Sequence, residues 1–228
     1  MKSKQLIASV LCIFLAALNL NAQKPLTAAD SAKYSIYYWH SKDMFENLPD
    51  IKGEIIFLGN SITDGCEWFE LLGNSKCLNR GISADVTEGV LLRLDAITRV
   101  KPAKIFLMIG INDLGRERSV DSVAANYELI IQRIKKETPK TTLYIESILP
   151  VNPAKPGKYS HTGKTEQIKE LNIKLKSLAT KYNCPFVDLF PIMADSQDHL
   201  KSEYTLDGLH LTYKGYKAWA DYIKPLVK

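Results

Sequence analysis

Three short apolar runs, each closed by turn residues and separated from the next by helical periods, constrain this chain more than any other feature. Ile55-Ile56-Phe57-Leu58 ends at Gly59, Ile105-Phe106-Leu107-Met108-Ile109 ends at Gly110, and Leu143-Tyr144-Ile145 ends near Ser147 and Pro150. Such runs, rich in β-branched and aromatic residues and lacking apolar–polar alternation, fit strands buried on both faces of a parallel sheet. Cys77-Leu78 and Phe186-Val187 are weaker strand candidates. Between the runs, Val86, Val90, Leu94 and Ile97 recur at helical spacing, as do Val123, Tyr127, Ile130, Ile131 and Ile134, and then Ile168, Leu171, Leu175 and Leu178. Lys164, Lys169, Lys174 and Lys181 fall elsewhere on that third helix and make a solvated face. Tyr216, Trp219, Ala220 and Ile223 predict a closing helix. The βαβ alternation predicts an α/β fold, a three-layer α/β/α sandwich around a central parallel sheet. Right-handed crossovers then bring the C-terminal ends of the strands to one edge.

The chain's 228 residues, 46% hydrophobic, suffice for one full core. A net charge of +5, evenly spread, is too mild to mark a nucleic-acid-binding face. Residues 1–22 read as a signal peptide: Lys2 and Lys4, the apolar stretch from Leu6 to Leu18, then Ala22 before cleavage. That stretch is shorter than the roughly 20 residues of a membrane helix. The expectation is an exported protein, periplasmic or extracellular, with no stable membrane insertion once the signal is removed. An uncleaved anchor helix is the alternative, because Leu20 is bulky for its place before the cleavage site. Residues 23–50, with Tyr34, Tyr37, Tyr38 and Trp39, predict a helical lead-in that links through Pro49 to a domain over 51–228. Cys66, Cys77 and Cys184 remain after the signal, and either a Cys66–Cys77 disulfide or buried thiols fit them. No Cys-x-x-Cys or His-x-x-x-His spacing calls for a metal, and no cofactor is expected.

Four blocks carry the chemistry. Gly59-Asn60-Ser61-Ile62-Thr63 offers a serine at a helix start, where hydroxyl nucleophile and free N–H coincide. Asn79-Arg80-Gly81 ends in a glycine whose N–H a ligand can approach. Gly110-Ile111-Asn112-Asp113 offers a carboxamide donor for an oxyanion, with Asp113 free to cap the following loop. Asp207-Gly208-Leu209-His210 sets a carboxylate and an imidazole three residues apart, on one side of a turn. Read singly, Ser61 is a helix cap, Gly81 a turn glycine and Asn112 a turn asparagine; their fixed order after strand ends is what points to acyl transfer. The missing second glycine after Ser61 argues against the α/β-hydrolase elbow. His161 falls in a polar loop, Pro150 to Thr165, with Asn152, Lys155, Lys158 and Tyr159, and reads as part of a substrate rim. His40 and His199 read as surface or capping residues.

These blocks resemble the SGNH, or GDSL-type, hydrolases, whose name residues would here be Ser61, Gly81, Asn112 and His210. The resemblance spans about residues 53 to 215. It implies a flavodoxin-like sandwich and metal-free ester hydrolysis through an acyl-enzyme, with Ser61, His210 and Asp207 as catalytic residues. Ser61, Gly81 and Asn112 would form the oxyanion hole. Asn60 departs from the aspartate of the family name, a position that varies in the platelet-activating-factor acetylhydrolase-like and carbohydrate esterase branches. No long apolar lid lies between the blocks, and the polar rim suits a small-molecule or carbohydrate ester, above all an O-acetylated sugar. A lysophospholipase or thioesterase is the second reading, and a non-catalytic carbohydrate-binding protein the reading from another class.

Overall fold

The computed structural model describes residues 33–155, 157 and 159–228; the segment read as a signal peptide, the start of the lead-in and Lys158 lie outside them. In chain order the elements are α1 (Ile36–Asn47), β1 (Ile55–Gly59), α2 (Ser61–Asp64), α3 (Trp68–Leu72), β2 (Cys77–Gly81), α4 (Thr87–Leu92), α5 (Leu94–Thr98) and β3 (Lys104–Met108). There follow α6 (Ile111–Gly115), α7 (Val120–Glu137), β4 (Thr142–Glu146), α8 (Thr165–Lys181), β5 (Phe186–Val187), α9 (Phe190–Met193) and α10 (Tyr213–Ile223). All five strands are parallel, in the order β2-β1-β3-β4-β5. Strand order reverses between β1 and β3, and ligands of open α/β sheets bind at such a switch point, beyond the carboxyl ends of the strands.

The apolar runs split between the two faces as strand geometry requires. Phe57, Phe106 and Tyr144 are register partners across β1, β3 and β4, and their rings stack at 5.0 and 4.5 Å. Trp68 of α3 stacks on Phe57 at 4.0 Å, and Trp219 of α10 meets Trp68 edge-on at 4.7 Å. Ile56, Leu58, Ile105 and Leu107 point the other way, and all are fully buried. On that side Tyr127 of α7 donates its hydroxyl to Leu107 O at 2.7 Å. The lead-in helix α1 is capped by Ser35, and buried Tyr38 reaches from it to Gly89 O at 2.7 Å. Cys66, Cys77 and Cys184 are all unpaired and buried. Burial pushes the Cys66 and Cys77 thiols up to about 12 and about 11, so neither is a ready thiolate.

One predicted helix is two. The period from Val86 to Ile97 is interrupted at Arg93, whose backbone (φ −111, ψ 11) leaves the helical region between α4 and α5. The break has a cause: the Arg93 side chain turns inward, wholly buried, to meet Asp85, Arg80 O and Gly59 O.

Glu146 ends β4 in full burial and accepts from Trp219 Nε1 at 2.8 Å. Burial pushes its carboxyl from an ordinary 4.5 up to about 8, against the pull of that indole N–H. Between those values the folded protein holds a proton that the unfolded chain releases, so this group favours the fold most fully below about pH 4.5 and loses that contribution as pH rises through about 8. Thermal unfolding midpoints should therefore decline from about pH 5 to about pH 9, and Glu146→Gln, neutral and of the same shape, should flatten the decline. Parallel curves for the two proteins would rule Glu146 out as the cause.

Candidate active site

β1 stops at Gly59 and Asn60 turns the chain into α2, whose first residue is Ser61. The Asn60 side-chain oxygen accepts the Ile62 N–H at 3.0 Å, and its carbonyl takes the N–H groups of Thr63 and Asp64. The Ser61 N–H makes no hydrogen bond within the described residues and stays open to a ligand. An asparagine serves this cap as well as an aspartate, because a side-chain oxygen is what the cap uses.

Ser61 Oγ lies 3.0 Å from His210 Nε2, and His210 Nδ1 lies 2.7 Å from Asp207 Oδ2. The second carboxylate oxygen, Oδ1, accepts the N–H groups of Leu209 and His210 at 2.9 and 2.8 Å. One oxygen thus shapes the turn and the other orients the ring. Burial raises the Asp207 carboxyl, but the bonds from the His210 ring and from these two N–H groups outweigh it and hold the group down to about 2. An ionised Asp207 accepts the hydrogen bond from Nδ1–H, which leaves Nε2 bare toward Ser61. Gly208 stands at φ +90, and a Cβ there would lie 2.4 Å from Asn152 O. Asn152, expected on the polar rim, is instead a buried anchor of this turn: its N–H donates to Gly208 O at 2.8 Å and its Nδ2 to Leu200 O at 2.7 Å.

Asn112, in α6 beyond β3, is buried and donates through Nδ2 to Asp85 O at 2.8 Å, leaving its second Nδ2 proton uncommitted. Its Oδ1 is 2.9 Å from His161 Nε2. Asp113 does more than cap its own loop. Besides Arg118, its carboxylate takes the N–H and hydroxyl of Thr87 at 3.0 and 2.7 Å, tying α6 to the start of α4.

Gly81 has a different situation from the one its sequence suggests. Its N–H donates to Asn79 Oδ1 at 2.8 Å and is not open to an oxyanion. Its lack of a side chain serves packing, since a Cβ would lie 2.2 Å from Asp64 N in the helix that begins with Ser61. Asn79 completes the clamp by donating Nδ2 to Thr63 O, Asp64 O and Cys66 O at 2.9–3.0 Å. Three residues beyond Gly81, Ala84 holds φ +64, and its N–H makes no hydrogen bond within the described residues. The Asn112–Asp85 bond brings this residue beside the Asn112 amide.

A model of the GDSL-like lipase/acylhydrolase family matches residues 57–218, a span holding all of these side chains. The chain belongs to that family. It is accordingly an ester-cleaving acylhydrolase. Platelet-activating factor acetylhydrolase IB subunit alpha2 of Homo sapiens is 28% identical over 183 residues, 78% of this chain and 76% of the relative. A solved Streptococcus pneumonia structure named for a platelet activating factor aligns with a TM-score of 0.76 at 32% identity, over 84% of this chain and 93% of its own. A GDSL-like lipase from Bacteroides thetaiotaomicron shares the fold, with a TM-score of 0.73 at 24% identity over 83% of this chain and 96% of its own.

Within this family fold, Ser61, His210, Asp207 and Asn112 meet at one edge of the sheet, together with His161 from the rim loop. Asn79 was readable as part of its block but not as the clamp on α2. Nothing in an alanine announces the left-handed backbone of Ala84. A 640 Å³ cleft lined by Gly65, Leu71, Leu211, Tyr213, Tyr216 and Lys217 lies along residues that flank Ser61 and His210, without being lined by either.

Gly81→Ala tests the packing role. The added methyl must displace α2, at about 1–3 kcal/mol by analogy with overpacked cores. Denaturant unfolding should show that loss together with a fall in esterase turnover; full stability with activity lost would return Gly81 to direct contact with substrate.

Proposed function

We propose that the chain is an exported serine esterase that removes small acyl groups, acetyl above all, from carbohydrate esters. The observation that carries this reading is the Ser61–His210–Asp207 relay, with contacts of 3.0 and 2.7 Å. His210 Nε2 takes the Ser61 hydroxyl proton as Oγ attacks the ester carbonyl. Negative charge gathers on the carbonyl oxygen, where the Ser61 N–H and the free Asn112 Nδ2 proton receive it. Since the Gly81 N–H is occupied, Ala84 supplies the second main-chain donor in our reading. Collapse of the tetrahedral species expels the alcohol, which leaves with the proton from His210. Water, deprotonated by the same imidazole, then cleaves the acyl-enzyme and restores Ser61.

The acetyl preference draws support from the human relative, which is named an acetylhydrolase. The sugar preference rests on a polar rim that includes Lys155 and Tyr159. Export rests on residues 1–22, outside the described structure; among the described residues no helix is long and apolar enough to cross a membrane. One observation favours a lysophospholipid instead: Leu206 and Tyr213, close in sequence to Asp207 and His210, are 79% and 70% exposed.

Three measurements decide. Ser61→Ala should abolish turnover of p-nitrophenyl acetate with the fold intact, and a phosphonate inhibitor should label Ser61 alone; activity in the variant ends the serine reading. Asn112→Ala should lower kcat by about 10²–10³ with KM little changed, because an oxyanion donor acts in the transition state. A rise in KM alone would make Asn112 a substrate binder. Acetyl esters and acetylated xylan should be cleaved faster than octanoyl esters; the reverse order would select the lipid reading.

A further inference from the structure

The Asn112 carboxamide is held at both ends. Its Nδ2 faces Asp85 O at 2.8 Å and its Oδ1 faces His161 Nε2 at 2.9 Å. A main-chain carbonyl only accepts, so the amide nitrogen belongs at the Asp85 end and the amide oxygen at the His161 end. That oxygen accepts in turn, so His161 Nε2 must carry a proton. The other ring nitrogen, Nδ1, is buried with no hydrogen-bond partner among the described residues, as suits the bare nitrogen of a neutral ring. Burial lowers the His161 pKa, and positive charge on the neighbouring Arg116 and Lys164, or on His210 when it is protonated, lowers it further.

The surroundings are shaped to keep the ring in place. A Cβ on Gly115 would stand 2.5 Å from His161 Cδ2 and 2.6 Å from Nε2, so the imidazole lies against the end of α6 where no side chain intervenes. Ser160 Oγ donates to Gly115 O at 2.7 Å, and Lys164 pairs with Glu117 at 2.7 Å, binding the loop on both sides of His161 to the end of α6 and the residues just after it. The Tyr159 ring meets both His161 and His210 edge-on, at 6.0 and 5.6 Å between centroids.

We propose that His161 is a positioning residue for the oxyanion hole: its Nε2–H holds the Asn112 amide against rotation and strengthens the donation of Nδ2 to the developing negative charge. A rotated amide would oppose its oxygen to Asp85 O and its NH₂ to the His161 N–H, two repulsions in place of two bonds. Donation to Oδ1 also draws electron density from Nδ2, as happens in a chain of hydrogen bonds. This rests on the esterase reading above and extends it to a residue that touches no reacting atom.

The test is a set of kinetics on p-nitrophenyl acetate for the wild type, His161→Phe, His161→Gln, Asn112→Ala and the His161→Phe/Asn112→Ala pair. Phenylalanine keeps the planar bulk and removes the donor; glutamine restores a donor. The Phe variant should lose on the order of tenfold in kcat with KM within about twofold, and the Gln variant should recover most of it. The double variant should be no slower than Asn112→Ala alone, because His161 acts through that amide. Unchanged kcat in His161→Phe, a loss confined to KM, or additive losses in the pair would each overturn the proposal. Nitrogen-15 NMR of the wild-type imidazole near neutral pH gives a readout independent of the variants' folding: an Nε2–H tautomer supports the assignment and an Nδ1–H tautomer refutes it. A wild type that turns over no ester sinks the esterase reading, while the tautomer still reports whether His161 holds Asn112.

Discussion

The buried guanidinium of Arg93 fixes the edge on which the site is built. Its Nε pairs with Asp85 Oδ2 at 2.8 Å, its Nη1 donates to Arg80 O at 2.9 Å and its Nη2 to Gly59 O at 3.0 Å. One side chain therefore clips the last turns of β1 and β2 to the loop that follows β2. Gly59 leads into Ser61, Asp85 follows Ala84, and the Asp85 carbonyl holds Asn112. Desolvating such a pair is costly: burial holds the Asp85 carboxyl up at about 6 even against the pull of Arg93. A hydrophobic pair of the same volume would pack as well or better. What a hydrocarbon cannot do is bind two carbonyls and a carboxylate in a fixed fork, and that geometry is what two strand ends and the loop after β2 need.

A second clamp works beside the first. Asp113 joins Thr87 at the start of α4 to Arg118 beyond α6, and Arg118 also binds Glu88 at 3.2 Å. Burial raises the Asp113 carboxyl, but its bonds from Thr87 and Arg118 favour the ionised form. Asn112 thus sits between two anchors, Asp85 through its side chain and Asp113 through the next peptide. These bonds tie the edge together before any substrate arrives, and a donor held in place stabilises charge without first reorganising.

The sequence made legible whatever is local or periodic. Strands buried on both faces announce themselves as unbroken apolar runs, and the spacing of Asp207 and His210 belongs to a single turn. What it hid depends on contacts between distant segments. The helical period across Val86 to Ile97 is genuine, yet the buried partners of Arg93 override it, and no neighbouring residue reveals them. Gly81 reads as a glycine that lets a ligand approach; its true neighbour is the Asp64 backbone. Asn152 and His161 lie in one polar loop and looked alike as rim residues. One is buried under the Asp207–His210 turn and the other reaches Asn112, 49 residues away. Polar side chains in loops carry little periodicity, so sequence can nominate them without saying where they point.

The distance from Ser61 to His210 bridges 149 residues of sequence, and neither the β1 turn nor the Asp207 turn sets it alone. α10, which begins three residues after His210, sets it from behind. Its Tyr216 hydroxyl donates to Ile62 O at 3.0 Å, one peptide beyond Ser61. A Cβ on Gly65 would stand 2.7 Å from that hydroxyl, so the close approach requires glycine there. Burial, with Cys66, Asp64 and Asp207 nearby, raises the Tyr216 phenol pKa and keeps it a neutral donor. One helical turn on, Trp219 binds Glu146 at the end of β4 and packs on Trp68, so the same helix face is referred to the sheet. Both aromatic residues bury a large ring and spend their single polar atom on position. The chemical contact of the site is thus fixed by a helix that contributes no reacting atom, docked through residues whose burial supplies the energy and whose hydrogen bonds supply the register.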